Sequence, residues 1–263
     1  MNGISAALWA ESLKMRKSKM FVMTLLAFAF IAMMMGSLMY VARHPEIAGR
    51  SAAVSAKLPI LGNADWSSFL SLLIQSILAM GAIGFGMVTS WVFGREYSDR
   101  TAKDLLALPV SRTSIVISKF IIIAVWCILL SLMLFIIGML MGLAIHIPGW
   151  PAAHAWHAFL KFAGSSVLTL LLCTPVAFIA SASRGYLLPV GFAILTLIMT
   201  NFVAMGVPNM APYFPWAVPA LYSGIAGREA LPHAGAISYF ILAATCVIGL
   251  SGTVAWWRFA DQT

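Results

Sequence analysis

The chain has 263 residues, of which 62% are apolar and 9% charged. A soluble domain typically carries about a quarter charged residues, so this one cannot clothe a water-facing surface. Disorder is excluded by the same numbers, because it needs low hydrophobicity and dense charge.

The 16 basic and 8 acidic side chains all avoid six stretches: 20–42, 66–94, 120–147, 162–183, 185–207 and 234–257. A helix needs about 20 apolar residues to cross the hydrocarbon, and each stretch is long enough. The expected fold is an all-α integral membrane protein with six transmembrane helices. With helical ends added, the spans are about 20–42, 66–94, 113–147, 162–183, 185–207 and 234–257. No internal repeat or linker divides the chain, so 1–263 reads as a single domain.

Residues 1–19 precede the first span and end in Lys14, Arg16, Lys17 and Lys19. They are expected to form a helix lying along the membrane face. The first span is too long for the apolar core of a signal peptide, so it reads as an anchor. Counting Lys and Arg on alternate sides places eleven on the side of the N-terminus and five on the other. Positive charge stays inside, so both termini are expected in the cytoplasm. The basic side chains flank spans instead of clustering, which argues against nucleic acid.

Within the spans no ionisable group falls near the midplane, where a proton- or ion-coupled carrier would keep one. Gln75 and Asn201 are expected to make interhelical hydrogen bonds. Cys127, Cys173 and Cys246 lie in separate spans and read as small buried hydrophobes. Pro175 and Pro189 read as packed kinks. Gly138 and Gly142 form a G-x-x-x-G that lets two backbones approach closely, within the subunit or in a dimer.

Gly249-Leu-Ser251-Gly252 matches the short serine pattern of intramembrane proteases. A nucleophilic serine needs a base within reach, and no histidine lies in a buried segment, so small-residue packing is the favoured reading. His44, His146, His154, His157 and His233 fall on or near the outer side. His154 and His157 are spaced for a shared metal, but without a carboxylate or thiolate beside them they read as solvated. No nucleotide-binding loop is present, so any ATP is bound by another chain.

The most informative stretch is 95–119. Ser98 or Asp99 can cap a short helix that Pro109 ends. Glu96 with Arg100, and Asp99 with Lys103, are i,i+4 pairs in the favourable order. Leu105, Leu106 and Leu108 add an apolar edge, and Ser111 can cap the third span. Apolar anchors among both charge signs suit a groove on a partner protein.

The run Glu-Tyr-x-x-x-Thr-x-x-x-Leu-Leu-x-x-Pro-Val-Ser-Arg, from Glu96 to Arg112 and on to Lys119, resembles a loop of the ABC type 2 exporter permeases. The similarity is greatest to the bacitracin and lantibiotic immunity group. Ser183-Arg-Gly-Tyr186 resembles that family's tight turn between the fourth and fifth spans. The segment from Pro212 to Pro219 resembles its outer re-entrant segment, with Pro212, Pro215, Trp216 and Pro219 as the marked positions. The resemblance implies the ABC type 2 exporter fold with cytoplasmic termini, in a bacterial plasma membrane. It implies that Glu96, Tyr97, Arg100, Thr101, Lys103, Asp104, Leu105, Leu106 and Arg112 couple to a cytoplasmic ABC ATPase subunit. Where many members carry Gly before the coupling-loop Thr, this chain has Arg100. ATP and Mg would belong to the ATPase partner, with no cofactor in this chain. A second permease copy, or a homologous permease, would complete the pore, with the first and fifth spans at the interface. The implied function is export of an amphipathic or peptide-antibiotic-like cargo. A stand-alone carrier or channel is the alternative, and an intramembrane protease a remote one.

Overall fold

The computed structural model describes residues 3–44, 64–99, 101, 110–150, 155–224 and 233–259. A short helix, α1 (Gly3–Arg16), precedes six helices long and apolar enough to cross a membrane, and no strand occurs among the described residues. The spans are α2 (Lys19–Arg43), α3 (Trp66–Ser98), α4 (Arg112–Ala144), the broken pair α5 (Ala155–Leu171) and α6 (Cys173–Ala182), α7 (Leu187–Gly206), and α9 (Ala236–Phe259). Between the last two lie 3-10 turns at Pro208–Tyr213 and Pro215–Ala217 and a short helix, α8 (Val218–Ser223).

Three of the starts are fixed by side chains that accept otherwise orphaned backbone N–H groups. Ser18 Oγ accepts from Phe21 N, Asp65 Oδ1 from Ser68 N, and Ser111 Oγ from Ser114 N. The expected cap at Ser111 is thus in place. Inside α3 the ladder passes through one π turn, Ile77–Gly81, before resuming.

Of the two expected kinks, Pro175 stands just after the break in the fourth span, between α5 and α6, whereas Pro189 stands at a helix beginning. Each is the third residue of its helix: at Pro189 the missing N–H falls among groups with no intrahelical partner, while at Pro175 it leaves Leu171, the last residue of α5, without its i+4 donor. The freed carbonyl of Leu171 accepts from Thr174 Oγ1 and from Cys246 Sγ. The α6–α7 connection is as tight as expected, and Arg184 adopts φ 54° to make it. A left-handed residue other than glycine costs about 1–2 kcal/mol, which the hairpin packing must offset.

Bilayer tails are as apolar as leucine, so close packing and polar contacts hold the spans together. Gly138 faces Leu73, and Gly142 faces Trp66 and Phe69, so the G-x-x-x-G packs α4 on α3 within the chain. Trp126 Nε1 donates to Thr24 Oγ1 at 3.1 Å, Ser131 meets Ser166 at 2.6 Å, and Trp257 Nε1 donates to Ser181 Oγ at 2.9 Å. Asn201 departs from expectation. Its amide donates to Leu197 O on its own helix, and Gln75 is exposed, so neither side chain bridges two helices among the described residues. Cys127 and Cys173 are buried thiols and Cys246 is half-buried.

The α6–α9 contact explains the serine pattern. A Cβ on Gly249 would stand 2.6 Å from the Thr174 carbonyl carbon, so only glycine admits this approach. Ser251 Oγ donates to Val247 O at 2.6 Å, within its own helix. The described histidines sit at the other end of the bundle, with His146, His157 and His233 exposed. The packing reading holds.

Candidate functional site

Charge divides the two ends of the bundle. Among the described residues Lys14, Arg16, Lys17, Lys19, Arg95, Arg112, Lys119, Arg184 and Arg258 gather at the end where α1 lies, and Arg43 and Lys161 at the other. Arg43 donates to the carbonyls of Ile145 and His146 at the close of α4.

At the basic end, four charges form a closed ring. Lys119 Nζ, on the second turn of α4, donates to Glu96 Oε1 at 2.8 Å, Glu11 Oε1 at 3.0 Å and Val92 O at 3.2 Å. Lys14 Nζ donates to the same two carboxylates, at 2.8 Å to Glu96 and 3.1 Å to Glu11. Lys119 is fully buried, and Glu96 and Glu11 are 2% and 6% exposed. All three ammonium hydrogens of Lys119 are used, and two lysines balance two carboxylates. A buried ion group survives only when paired and hydrogen-bonded in this way. Burial disfavours the Lys14 ammonium, but Glu11 and Glu96 more than offset it, and its pKa is raised above the ordinary 10.5. The stabilisation that follows is complete below pH 10.5 and lost as pH rises through the raised value.

The ring joins three elements distant in sequence. Glu11 and Lys14 come from α1, packed on α4, while Glu96 closes α3. Thr101 adds the chain beyond: its N–H donates to Glu96 O at 2.9 Å and its hydroxyl to Glu96 Oε2 at 2.8 Å. The Glu and Thr of the motif are therefore direct partners.

Neighbouring motif residues are also anchored. Tyr97 packs edge-on to Trp257, with ring centroids 6.1 Å apart. Arg112 Nη1 donates to the carbonyls of Trp257 and Arg258, where a cation suits the negative end of α9. Gly94 lies against Gly185, where a Cβ would come within 2.9 Å of the backbone, so the Ser183–Tyr186 turn rests on the start of the motif.

These positions revise the expected pairing. Glu96 points into the bundle toward Lys14 and the fully buried Lys119, an arrangement that two convergent cations favour over a single neighbour on its own helix. Asp99 pairs with Arg95 at 3.0 Å on the surface. Arg100, Lys103, Asp104, Leu105, Leu106, Leu108 and Pro109 lie outside the described residues, as does the short helix expected there, and so does His154. Glu11 was missed by motif reasoning. Its signal is that it is the sole acidic residue among residues 1–45, three positions before Lys14.

At the opposite end the segment from Pro212 to Pro219 forms short helical turns, as its prolines require. Trp216 packs on Phe192 and Phe214, with centroids 5.6 and 5.5 Å apart. Tyr222 tethers the end of the segment through its hydroxyl to Leu160 O.

A sequence profile described as ABC-2 family transporter protein matches residues 7–201. The match takes in the whole charge ring, Thr101 and the Ser183–Tyr186 turn. The bacitracin transport permease protein BCRB of Bacillus licheniformis is 30% identical over 210 residues, covering 80% of this chain and 99% of that protein.

Proposed function

The chain belongs to the ABC-2 transporter family, as a membrane permease, and from that premise we propose that it is half of an ATP-driven exporter. Separate ABC ATPase subunits bind ATP and Mg and hydrolyse the nucleotide. A second copy or a homologous permease completes the pore in the bacterial plasma membrane. The basic end faces the cytoplasm, which the excess of Lys and Arg there supports. The cargo is an amphipathic molecule of the peptide-antibiotic class, supported by the similarity to a bacitracin transport permease and by spans without a midplane charge.

One observation carries the coupling role: both flanks of segment 95–119 are tied into the bundle. Glu96 and Thr101 hold its entry, and Arg112 and Lys119 hold its exit. Force applied by an ATPase to residues between these anchors reaches α1, α3, α4 and α9 together. A freely hinged loop would dissipate such a push. The apolar anchors Leu105 and Leu106, with Lys103 and Asp104, supply the surface for the ATPase cleft. The segment from Pro212 to Pro219 serves as the outer re-entrant segment, a reading supported by its short turns and by Trp216 packing on Phe192 of α7.

Coexpression with the ATPase subunit tests the proposal. The permease and ATPase should co-purify, and peptide antibiotic should stimulate ATP hydrolysis in liposomes holding both. A permease that moves cargo down an ion gradient with no ATPase present would refute it.

A further inference from the structure

A cavity of about 460 Å³ opens at the basic end beside the charge ring. Lys14, Lys17, Lys19 and Arg95 line it, together with Trp91 and Tyr186. Lys14 is matched by Glu11 and Glu96, and Arg95 by Asp99, the carboxylate that also lines the wall. Lys17 and Lys19 are exposed and have no ion pair among the described residues. The cavity thus carries two uncompensated cations, one on each side of the α1–α2 junction.

Its rim is apolar. Leu13 and Met20 reach into the lining, and the exposed surface continues from Leu13 to Trp9 on α1 and from Met20 to Met23 on α2. Trp91 is fixed in place, since the Arg95 guanidinium lies 4.9 Å from its ring centre. Cations beside aromatic rings, with apolar strips leading away, match the cross-section of a phospholipid at headgroup depth.

We infer that this cavity binds the phosphate-bearing headgroup of an anionic lipid, with Lys17 and Lys19 pairing its negative charge. The acyl chains lie along the Trp9–Leu13 and Met20–Met23 strips. A free phosphate would use the same two cations but not the strips. An acidic protein surface would be limited by the cavity's aromatic walls. The site depends on the membrane placement of α2 and not on ATP use or cargo.

The test is native mass spectrometry of the full-length protein in detergent, equilibrated with phosphatidylglycerol or phosphatidylcholine. Phosphatidylglycerol should be retained in preference to phosphatidylcholine. Lys17→Gln with Lys19→Gln should lower its affinity roughly tenfold or more, since each surface cation contributes on the order of 1 kcal/mol. The same variant should leave phosphatidylcholine retention unchanged, while Lys17→Arg with Lys19→Arg should keep the preference. Both positions are exposed, so neither variant disturbs the fold. Equal retention of the two lipids would overturn the proposal, as would an unchanged affinity in the glutamine variant. Inorganic phosphate displacing the lipid at matching concentration would show a free-anion site instead.

Discussion

Lys119 Nζ stands 2.8 Å from Glu96 Oε1, with the lysine wholly buried and the glutamate nearly so. This pair decides how tightly the segment between α3 and α4 is held. Removing one partner of such a pair leaves an uncompensated buried charge, at about 3–5 kcal/mol. Lys119→Met should therefore lower the melting temperature in detergent by a wide margin. Adding Glu96→Gln restores the balance, leaving Glu11 with Lys14, and should recover part of the loss. A double variant no better than the single one would show that packing, and not charge, holds this corner.

Glu11→Gln makes a complementary case. The residue lies on α1, 108 positions from Lys119, yet its oxygen is 3.0 Å from that ammonium. The substitution should destabilise α4 as well as α1. Hydrogen exchange should rise at the first turns of α4, around Ile115–Lys119. Exchange confined to α1 would mean that the ring does not transmit.

The spans were legible because charge is excluded from them, and a six-stretch pattern has one solution in a bilayer. Ser111 was legible for a similar local reason, since a cap precedes its helix by definition. Long-range pairing was not. Glu96 and Arg100 satisfy the i,i+4 rule, worth a few tenths of a kcal/mol on an exposed helix. Desolvation sets the competing choice, and periodicity along one helix cannot reveal that Lys14 and Lys119 converge from elsewhere. Pro189 escaped the reading for a local reason. Exclusion of charge starts the fifth stretch at 185, two residues before its helix, so a proline that starts a helix looks like one that bends it.

At the α6–α9 crossing, Gly249→Ala should cost about 1–3 kcal/mol, because its Cβ meets Thr174 and Pro175 backbone that cannot yield. Ser251→Ala should stay within about 0.5 kcal/mol of wild type and leave function intact, its hydroxyl being bonded to its own helix. Melting curves and a resistance assay read both. Lost function in the serine variant at full stability would bring serine chemistry back.

Orientation is checked by cysteine labelling in intact cells. A cysteine near Thr101 or after Thr263 should be shielded from an impermeant reagent, and one near Ala152 should react. Labelling at position 101 from outside would remove the cytoplasmic ATPase from consideration at that loop.

The coupling segment calls for variants that spare the charge ring. Glu96→Lys is unsuitable, since it would set a third cation against Lys14 and Lys119 and lose stability and coupling together. Leu105→Asp alters none of the four residues of the ring. If Leu105 enters a desolvated cleft on the ATPase, the added carboxylate should cost a few kcal/mol of association, a fall of tenfold to a hundredfold or more in affinity. Melting temperature and membrane insertion should match wild type, while ATPase co-purification and antibiotic-stimulated hydrolysis fall. Lys103→Glu should weaken association less, and more at low salt than at high, as an exposed charge at the rim of an interface does. Wild-type recruitment and transport in the Leu105→Asp, Lys103→Glu double variant would reduce the segment to a solvated linker. The coupling surface would then have to be sought elsewhere on the basic end, beginning with the exposed face of α1.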